Sequence, residues 1–260
     1  MTNSPDDPVD RRTATAVTRA IAVLDYLARN PREAIPLSDI AREIGAAKSS
    51  TLNVCTALEA GRLIQRRGRG YELGRRVVEL GGSYLSSFDQ VREFYLACTE
   101  SPTLSHELVQ IAVLEGTDVL YLARHEGRAP LLLSARVGDR LPAALTAVGN
   151  ALLALYADEE VRMRYLDHGR FEPRTENSTK DLAELLGKLA QVRARGYAVD
   201  RGGVHQAVIG IAAGVASSDP RVSAFAVGVS LIAATPTDEE IARIGAEVVT
   251  VARTIAHHPL

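Results

Sequence analysis

The stretch Leu37-Ser38-Asp39-Ile40-Ala41-Arg42-Glu43-Ile44-Gly45-Ala46-Ala47-Lys48-Ser49-Ser50-Thr51-Leu52-Asn53 decides the fold. Ile40, Ala41 and Ile44 fall on one side of a short helix that Ser38 is placed to cap. Gly45 stands where the following turn needs a positive φ. The chain then resumes as a helix over residues 47–60, closed by Gly61. Ala41 and Gly45, four apart, are small enough for the close crossing of a helix-turn-helix. Upstream, Val17, Ala20, Ile21, Leu24, Leu27 and Ala28 recur at helical spacing and predict an amphipathic helix stopped by Asn30-Pro31. Downstream, Leu63-Ile64-Gln65 and Tyr71-Glu72-Leu73 flank Arg66-Arg67-Gly68-Arg69-Gly70, which predicts a hairpin around a basic turn.

Three helices followed by a basic hairpin are the order of a winged helix-turn-helix, here residues 16–75, after a polar tail at 1–15 expected to be disordered. The function follows from groove dimensions. One helix fits the major groove of duplex DNA, and a basic hairpin lies along the flanking backbone. Lys48, Ser49, Ser50, Thr51 and Asn53 begin the third helix, where side chains reach base edges and phosphates. Asn53 suits an adenine edge, while Lys48, Arg66, Arg67 and Arg69 position the backbone. The charge agrees. Residues 1–76 carry 13 Lys and Arg against 9 Asp and Glu, and the remainder 17 against 23, so a net charge of −2 hides a basic module on an acidic one.

From residue 77 the pattern changes. Val77, Gly81, Tyr84, Phe88, Val91 and Tyr95 step by four and three, predicting a linker helix over 76–92. Packed against a second chain, it would set two reading helices roughly 34 Å apart on a two-fold operator. The alternative is packing on its own C-terminal domain. Residues 93–260 alternate strands and helices. Strands are expected over 107–114 and 119–125, joined by Glu115-Gly116-Thr117-Asp118, and over 130–137, 204–215 and 223–231. Helices are expected over 146–156 and 181–195, with a last one opened by a Thr237/Glu240 capping box. The fold class is therefore α+β: the winged unit, then a sensor domain with a sheet covered by helices.

Several classes are disfavoured. At 260 residues and 46% hydrophobic, the chain buries a real core. It has no apolar run of about 18 residues and no apolar leader, so a cytoplasmic protein that crosses no membrane is expected. Cys55 and Cys98 lack paired spacing, and the six histidines lack zinc spacing. No G-x-S-x-G, Walker loop or H-E-x-x-H is present. No metal, cofactor or catalytic residue is expected. The rival readings are an enzyme in the C-terminal domain and an architectural DNA binder without a ligand.

These pieces resemble the IclR family of transcription regulators across nearly the whole chain. The resemblance is carried by Val17-Thr18-Arg19-Ala20-Ile21-Ala22-Val23-Leu24, by residues 37–45 quoted above with Lys48-Ser49-Ser50-Thr51, and by Tyr71-Glu72-Leu73-Gly74. In the second domain it is carried by Arg136-Val137-Gly138-Asp139-Arg140-Leu141-Pro142, Thr146-Ala147-Val148-Gly149, Gly196-Tyr197-Ala198-Val199-Asp200 and Ile211-Ala212-Ala213. It implies a GAF-like effector domain, homodimers or dimers of dimers, and control of a catabolic operon by a small metabolite, often a carboxylate or an aromatic acid. By motif position it implies an effector site of Leu133, Thr146, Ala147, Val148, Gly149, Asp200, Val208, Gly210, Gly228 and Ser230. Free backbone N–H groups at Ala147, Val148 and Gly149 would suit an anion or carbonyl oxygen. His205 is placed to hydrogen-bond a ligand or simply to face solvent.

The chain also departs from the family pattern. Arg201-Gly202-Gly203 follows Asp200 where acidic residues are frequent, Gly210 replaces a cysteine, Gly214 a proline and Gly228 a serine, and Ala144-Leu145 replaces His-Ala. These changes imply a larger, less polar pocket, suited to an aromatic or acyl-type effector. In the reading helix Leu52-Asn53 stands where His-Arg is frequent, which shifts the expected phosphate affinity toward the wing arginines.

Overall fold

The computed structural model describes residues 8–127, 135–168, 171–216, 223–232 and 235–257. The chain divides into two compact units, Met1–Leu85 and Ser86–Leu260.

The first unit runs α1 (Pro8–Arg29), β1 (Ile35–Pro36), α2 (Leu37–Glu43), α3 (Lys48–Ala60), β2 (Ile64–Arg67), β3 (Gly70–Leu73) and α4 (Arg76–Leu85). Its core joins Val23 and Leu27 of α1, Ile40 of α2, and Cys55 and Leu58 of α3 to Ile64 and Tyr71 of the hairpin. In α1 the buried face departs from the expected stripe: Val17 and Ile21 are 55% exposed, while Val23 is buried with Leu27, and Ala20 and Leu24 pack against this core.

Four expectations are corrected here. The first helix begins at Pro8, so residues 8–15 are helical rather than a disordered tail; no proline or glycine interrupts the chain from there to Arg29. Ser38 is not a cap. Pro36 pairs with Gly70 in a strand and enters α2 at φ −60°, which leaves Ser38 inside the helix beside Asp39. The linker is two helices, α4 and α5 (Asp89–Glu100), not one over 76–92. Ser86-Ser87 lie at the break, and serine hydroxyls compete for the backbone groups a helix needs. The basic turn is only Gly68-Arg69, with Gly68 at φ +61° in the first loop position of a two-residue hairpin, so Arg66 and Arg67 are strand residues.

The second unit continues from α5 through a 3₁₀ turn (Leu104–His106), β4 (Leu108–Glu115), β5 (Asp118–Glu126), β6 (Arg140–Pro142), a 3₁₀ turn (Ala143–Leu145), α6 (Ala147–Leu153), α7 (Asp158–His168), α8 (Leu182–Arg195), β7 (Ala198–Arg201), β8 (Val208–Val215), β9 (Phe225–Ile232) and α9 (Asp238–His257). The strands make one antiparallel sheet in the order β6-β5-β4-β9-β8-β7. Asp181 caps α8 through the Glu184 N–H (2.8 Å), and Thr237 and Glu240 exchange the two bonds of the capping box. Of the strand expected over 130–137, residues 130–134 lie outside the described residues. Ala135, Arg136 and Val137 are not in a strand; β6 pairs with β5 instead.

Alternation along the sheet separates two faces. Ile111, Ile211 and Val227 are buried on the side that α9 covers. The other side is nearly bare: Gly210, Ala212 and Gly214 on β8 lie opposite Ser230, Gly228 and Ala226 on β9, next to Ala112 on β4. Onto this floor α6 settles with all seven of its residues buried. A Cβ on Gly228 would stand 2.5 Å from Val148 Cγ1, one on Gly210 2.9 Å from the Ala147 Cβ, and one on Gly214 2.5 Å from the Ala151 carbonyl oxygen.

The winged unit holds a comparable close approach. A Cβ on Gly74 would meet the Arg62 carbonyl oxygen at 2.1 Å, and backbone cannot swing away as a flexible side chain can. Gly74→Ala is therefore expected to destabilise this unit by more than about 2 kcal/mol. Limited proteolysis and thermal melting monitored within residues 8–85 should show an earlier loss than in the wild type; unchanged resistance would refute the clash.

Candidate nucleic-acid interface and effector cavity

The outer surface of α3 follows from its core face. Thr51, Cys55 and Leu58 point inward, so Lys48, Ser49, Leu52 and Asn53 are exposed on the opposite side. Thr51 leaves the group expected to touch DNA. It is fully buried, and its hydroxyl donates to the Ala47 carbonyl (3.1 Å), which closes the first turn of the helix. Ser50 is half-buried and accepts a hydrogen bond from Arg19 of α1 at 2.8 Å. Arg19 is a residue that sequence reasoning missed: it brings a guanidinium from the first helix to the start of the third. Leu52, 39% exposed on the reading surface, is an apolar group of the kind that meets a thymine methyl.

In the wing, Arg66 pairs with Glu59 of α3 (3.2 Å) and lies over the Tyr71 ring (5.0 Å to its centroid). Arg67 pairs with Glu72 (2.5 Å) and donates to the Arg32 carbonyl (3.1 Å). Gln65 also donates to Glu72, and these two bonds hold the Glu72 carboxyl below its ordinary range. Lys48 and Arg69 are exposed, and among the described residues neither makes an ion pair.

In the second unit a cavity lies at the start of α6. It is lined by nine of the residues expected at an effector site: Thr146, Ala147, Val148, Asp200, His205, Val208, Gly210, Gly228 and Ser230. Leu133 lies outside the described residues. Gly149 is absent from the wall. Its N–H is taken by the capping Thr146 hydroxyl (3.0 Å), and a Cβ there would strike Ala143, so it serves the close contact between the 3₁₀ turn and α6. Sequence reasoning missed Gln110, Tyr121 and Leu141. Gln110 was findable as the lone polar residue inside Leu108-Val109-Gln110-Ile111-Ala112-Val113; its amide donates to the Ala135 carbonyl (2.7 Å), and it accepts from Ser230 (3.3 Å).

The cavity encloses about 70 Å³. A water needs roughly 10–15 Å³ of such space, so the cavity suits a ligand of a few water-sized groups. Gly210 and Gly228 do not open space on the side of α6. The space that Gly210 and Gly228 leave is filled by Ala147 and Val148, while Gln110, Tyr121, Thr146, Asp200 and Ser230 keep polar groups in the wall.

Asp200 is the charged group of this wall. Burial pushes its carboxyl up to about 6, against the Gly203 N–H that donates to it and the attraction of Lys188. Nearby, the Ser178 hydroxyl donates to the Gly203 carbonyl (2.6 Å) and Thr179 to the Ala144 carbonyl (2.7 Å), with Lys188 donating to Thr179 (2.9 Å). Both edges of the cavity are thus tied to one buried segment. His205 is exposed, and its Nδ1 accepts the Ala207 N–H (3.2 Å), which leaves Nε2 as the donor in the neutral ring.

A winged helix-turn-helix followed by a separate domain with a small cavity defines a ligand-responsive DNA-binding regulator. Residues 16–68 match the IclR helix-turn-helix domain, and residues 82–257 match the C-terminal domain of bacterial IclR transcriptional regulators. The chain belongs to the IclR family of transcriptional regulators. It is 29% identical over 231 residues to the HTH-type transcriptional regulator XynR of Escherichia coli K12, covering 87% of this chain and 90% of that one. It is 28% identical over 199 residues to the HTH-type transcriptional repressor AllR of the same strain, covering 75% and 72%. Among solved structures, an IclR homolog from Microbacterium hydrocarbonoxydans complexed with 4-hydroxybenzoate is similar at TM-score 0.74 and 25% identity, over 93% of this chain and 98% of that one.

The carboxyl of Asp200 makes stability depend on pH. Its native value of about 6 lies above the ordinary 3.8, so the folded state holds this proton more tightly than the unfolded chain. The contribution is complete below about pH 4 and is lost as the pH rises through 6, on the order of 2–3 kcal/mol in all. Asp200→Asn should flatten that part of the melting-temperature profile between pH 4 and 7. An unchanged profile would place the titration elsewhere.

Proposed function

We propose that this protein is a DNA-binding regulator that recognises a two-fold operator with paired winged units, and whose occupancy is set by a small aromatic or acyl-type acid held at the start of α6. The observation that carries the reading is the cavity itself: apolar walls from Ala147, Val148, Val208 and Val229, with polar groups at Asp200 and at the Gln110–Ser230 pair. A flat molecule with an acid and a second polar group meets both kinds of wall. The complex of the Microbacterium relative with 4-hydroxybenzoate supports that choice.

Pairing of two chains, as a homodimer or dimer of dimers, is supported by α4, which buries no residue in the first unit and leaves Val78, Leu80 and Tyr84 exposed there. Ligand binding would favour one spacing of the two reading helices. Coupling of about 1–3 kcal/mol then changes DNA affinity roughly 5–150-fold. The protein acts in the cytoplasm, turns over no substrate and serves a local catabolic operon.

On the DNA side, Lys48→Ala is expected to weaken binding to every duplex, and Asn53→Ala to relax base preference at a cost of about 1–3 kcal/mol. A mobility shift on the upstream region of the protein's own gene measures both; two silent substitutions would remove α3 as the reader. On the ligand side, an acid sits best beside Asp200 when that carboxyl holds its proton. Affinity for 4-hydroxybenzoate or benzoate should therefore rise as the pH falls from about 7.5 toward 5.5, and Asp200→Asn should weaken that dependence. Calorimetric titration beside small dicarboxylates tests the class, and preferential binding of the dicarboxylates would overturn it.

A further inference from the structure

The wing carries three arginines in four residues, and the hairpin sorts them. Arg66 and Arg67 are neighbours in β2, so their side chains leave opposite faces of the strand and cannot track one phosphate backbone together. Arg66 turns toward α3, where Glu59 and the Tyr71 ring hold it. Arg67 turns to the other face, between the Glu72 carboxylate and the Arg32 carbonyl. Arg69 occupies the two-residue loop, exposed, with no ion pair among the described residues.

Charge balance decides what each can contribute. Counterion release grows with the net positive charge brought to the phosphates. Swinging Arg67 onto a phosphate would uncover Glu72 beside the same polyanion, so the pair brings no net charge. The same holds for Arg66 and Glu59. An exposed ion pair is weak by itself, but here each arginine also has a second partner fixing its direction. We infer that Arg69 is the wing's phosphate ligand, while Arg66 and Arg67 are internal positioning residues that fix the hairpin against α3 and against the turn after α1. This rests on the DNA-binding reading above and divides its wing residues into two roles.

The test is the salt dependence of binding to a 30-bp mixed-sequence duplex, followed by fluorescence anisotropy on the full-length protein between 50 and 200 mM salt. Arg69→Ala should lower the slope of log affinity against log salt by about 0.9 for each engaged wing. The charge swap Arg67→Glu with Glu72→Arg keeps both the pair and the net charge, and should leave the slope at the wild-type value. The neutral pair Arg67→Gln with Glu72→Gln, which also keeps the net charge, serves if the swap unfolds the hairpin, as judged by circular dichroism, and should likewise keep the slope while lowering the melting temperature. A loss of slope in the swap or in the neutral pair equal to that of Arg69→Ala would overturn the assignment, as would an unchanged slope in Arg69→Ala. If the wild type fails to bind the duplex at 50 mM salt, the DNA-binding reading falls and this inference with it, an outcome distinct from altered slopes among binding proteins.

Discussion

The second unit depends on how closely α6 approaches the sheet. A helix normally rests on side chains at a distance of about 10 Å; here the facing residues of β8 and β9 are glycine and alanine, so the helix drops onto backbone. That descent lines up Thr146, Ala147 and Val148 with Asp200 and Ser230 around one small volume. It also requires Gly149, because the 3₁₀ turn before the helix has to fold underneath it. The cavity is a by-product of incomplete filling at the end of this seat, where the floor ends and the polar residues begin.

Much of this was legible in the sequence for physical reasons. A long helix with a regular apolar stripe, such as α9, and turns with a defined chemical requirement, such as Gly45 and the Thr237/Glu240 box, depend on local rules. Most of the cavity lining came instead from the family resemblance, which carries residues over by motif position. What was not legible depends on partners distant in sequence. The glycines looked like lost volume until Ala147 and Val148 were seen occupying it. Thr51 looked like a reading residue until the core of the unit claimed it. β6, with three residues, and α7, whose apolar pattern is weak, offered too little periodicity to announce themselves.

The winged unit shows the same division. Counting charges in residues 1–76 finds the module but not its contacts, because a tally does not say that Glu59 and Glu72 stand beside Arg66 and Arg67. The alternation of β2 and the short loop decide which positive charge faces outward. Arg19 adds the opposite lesson: a cation far from the reading helix in sequence is beside Ser50 in space.

The buried hydroxyls of Ser178 and Thr179 bear on kinetics. One grips the loop after β7 and the other the turn before α6, so the two lips of the cavity share a single dry anchor. Displacing either lip stretches bonds that water does not reach to replace. The loop after β7 and the turn before α6 are thereby coupled through one segment, and the rate at which either opens depends on that anchor.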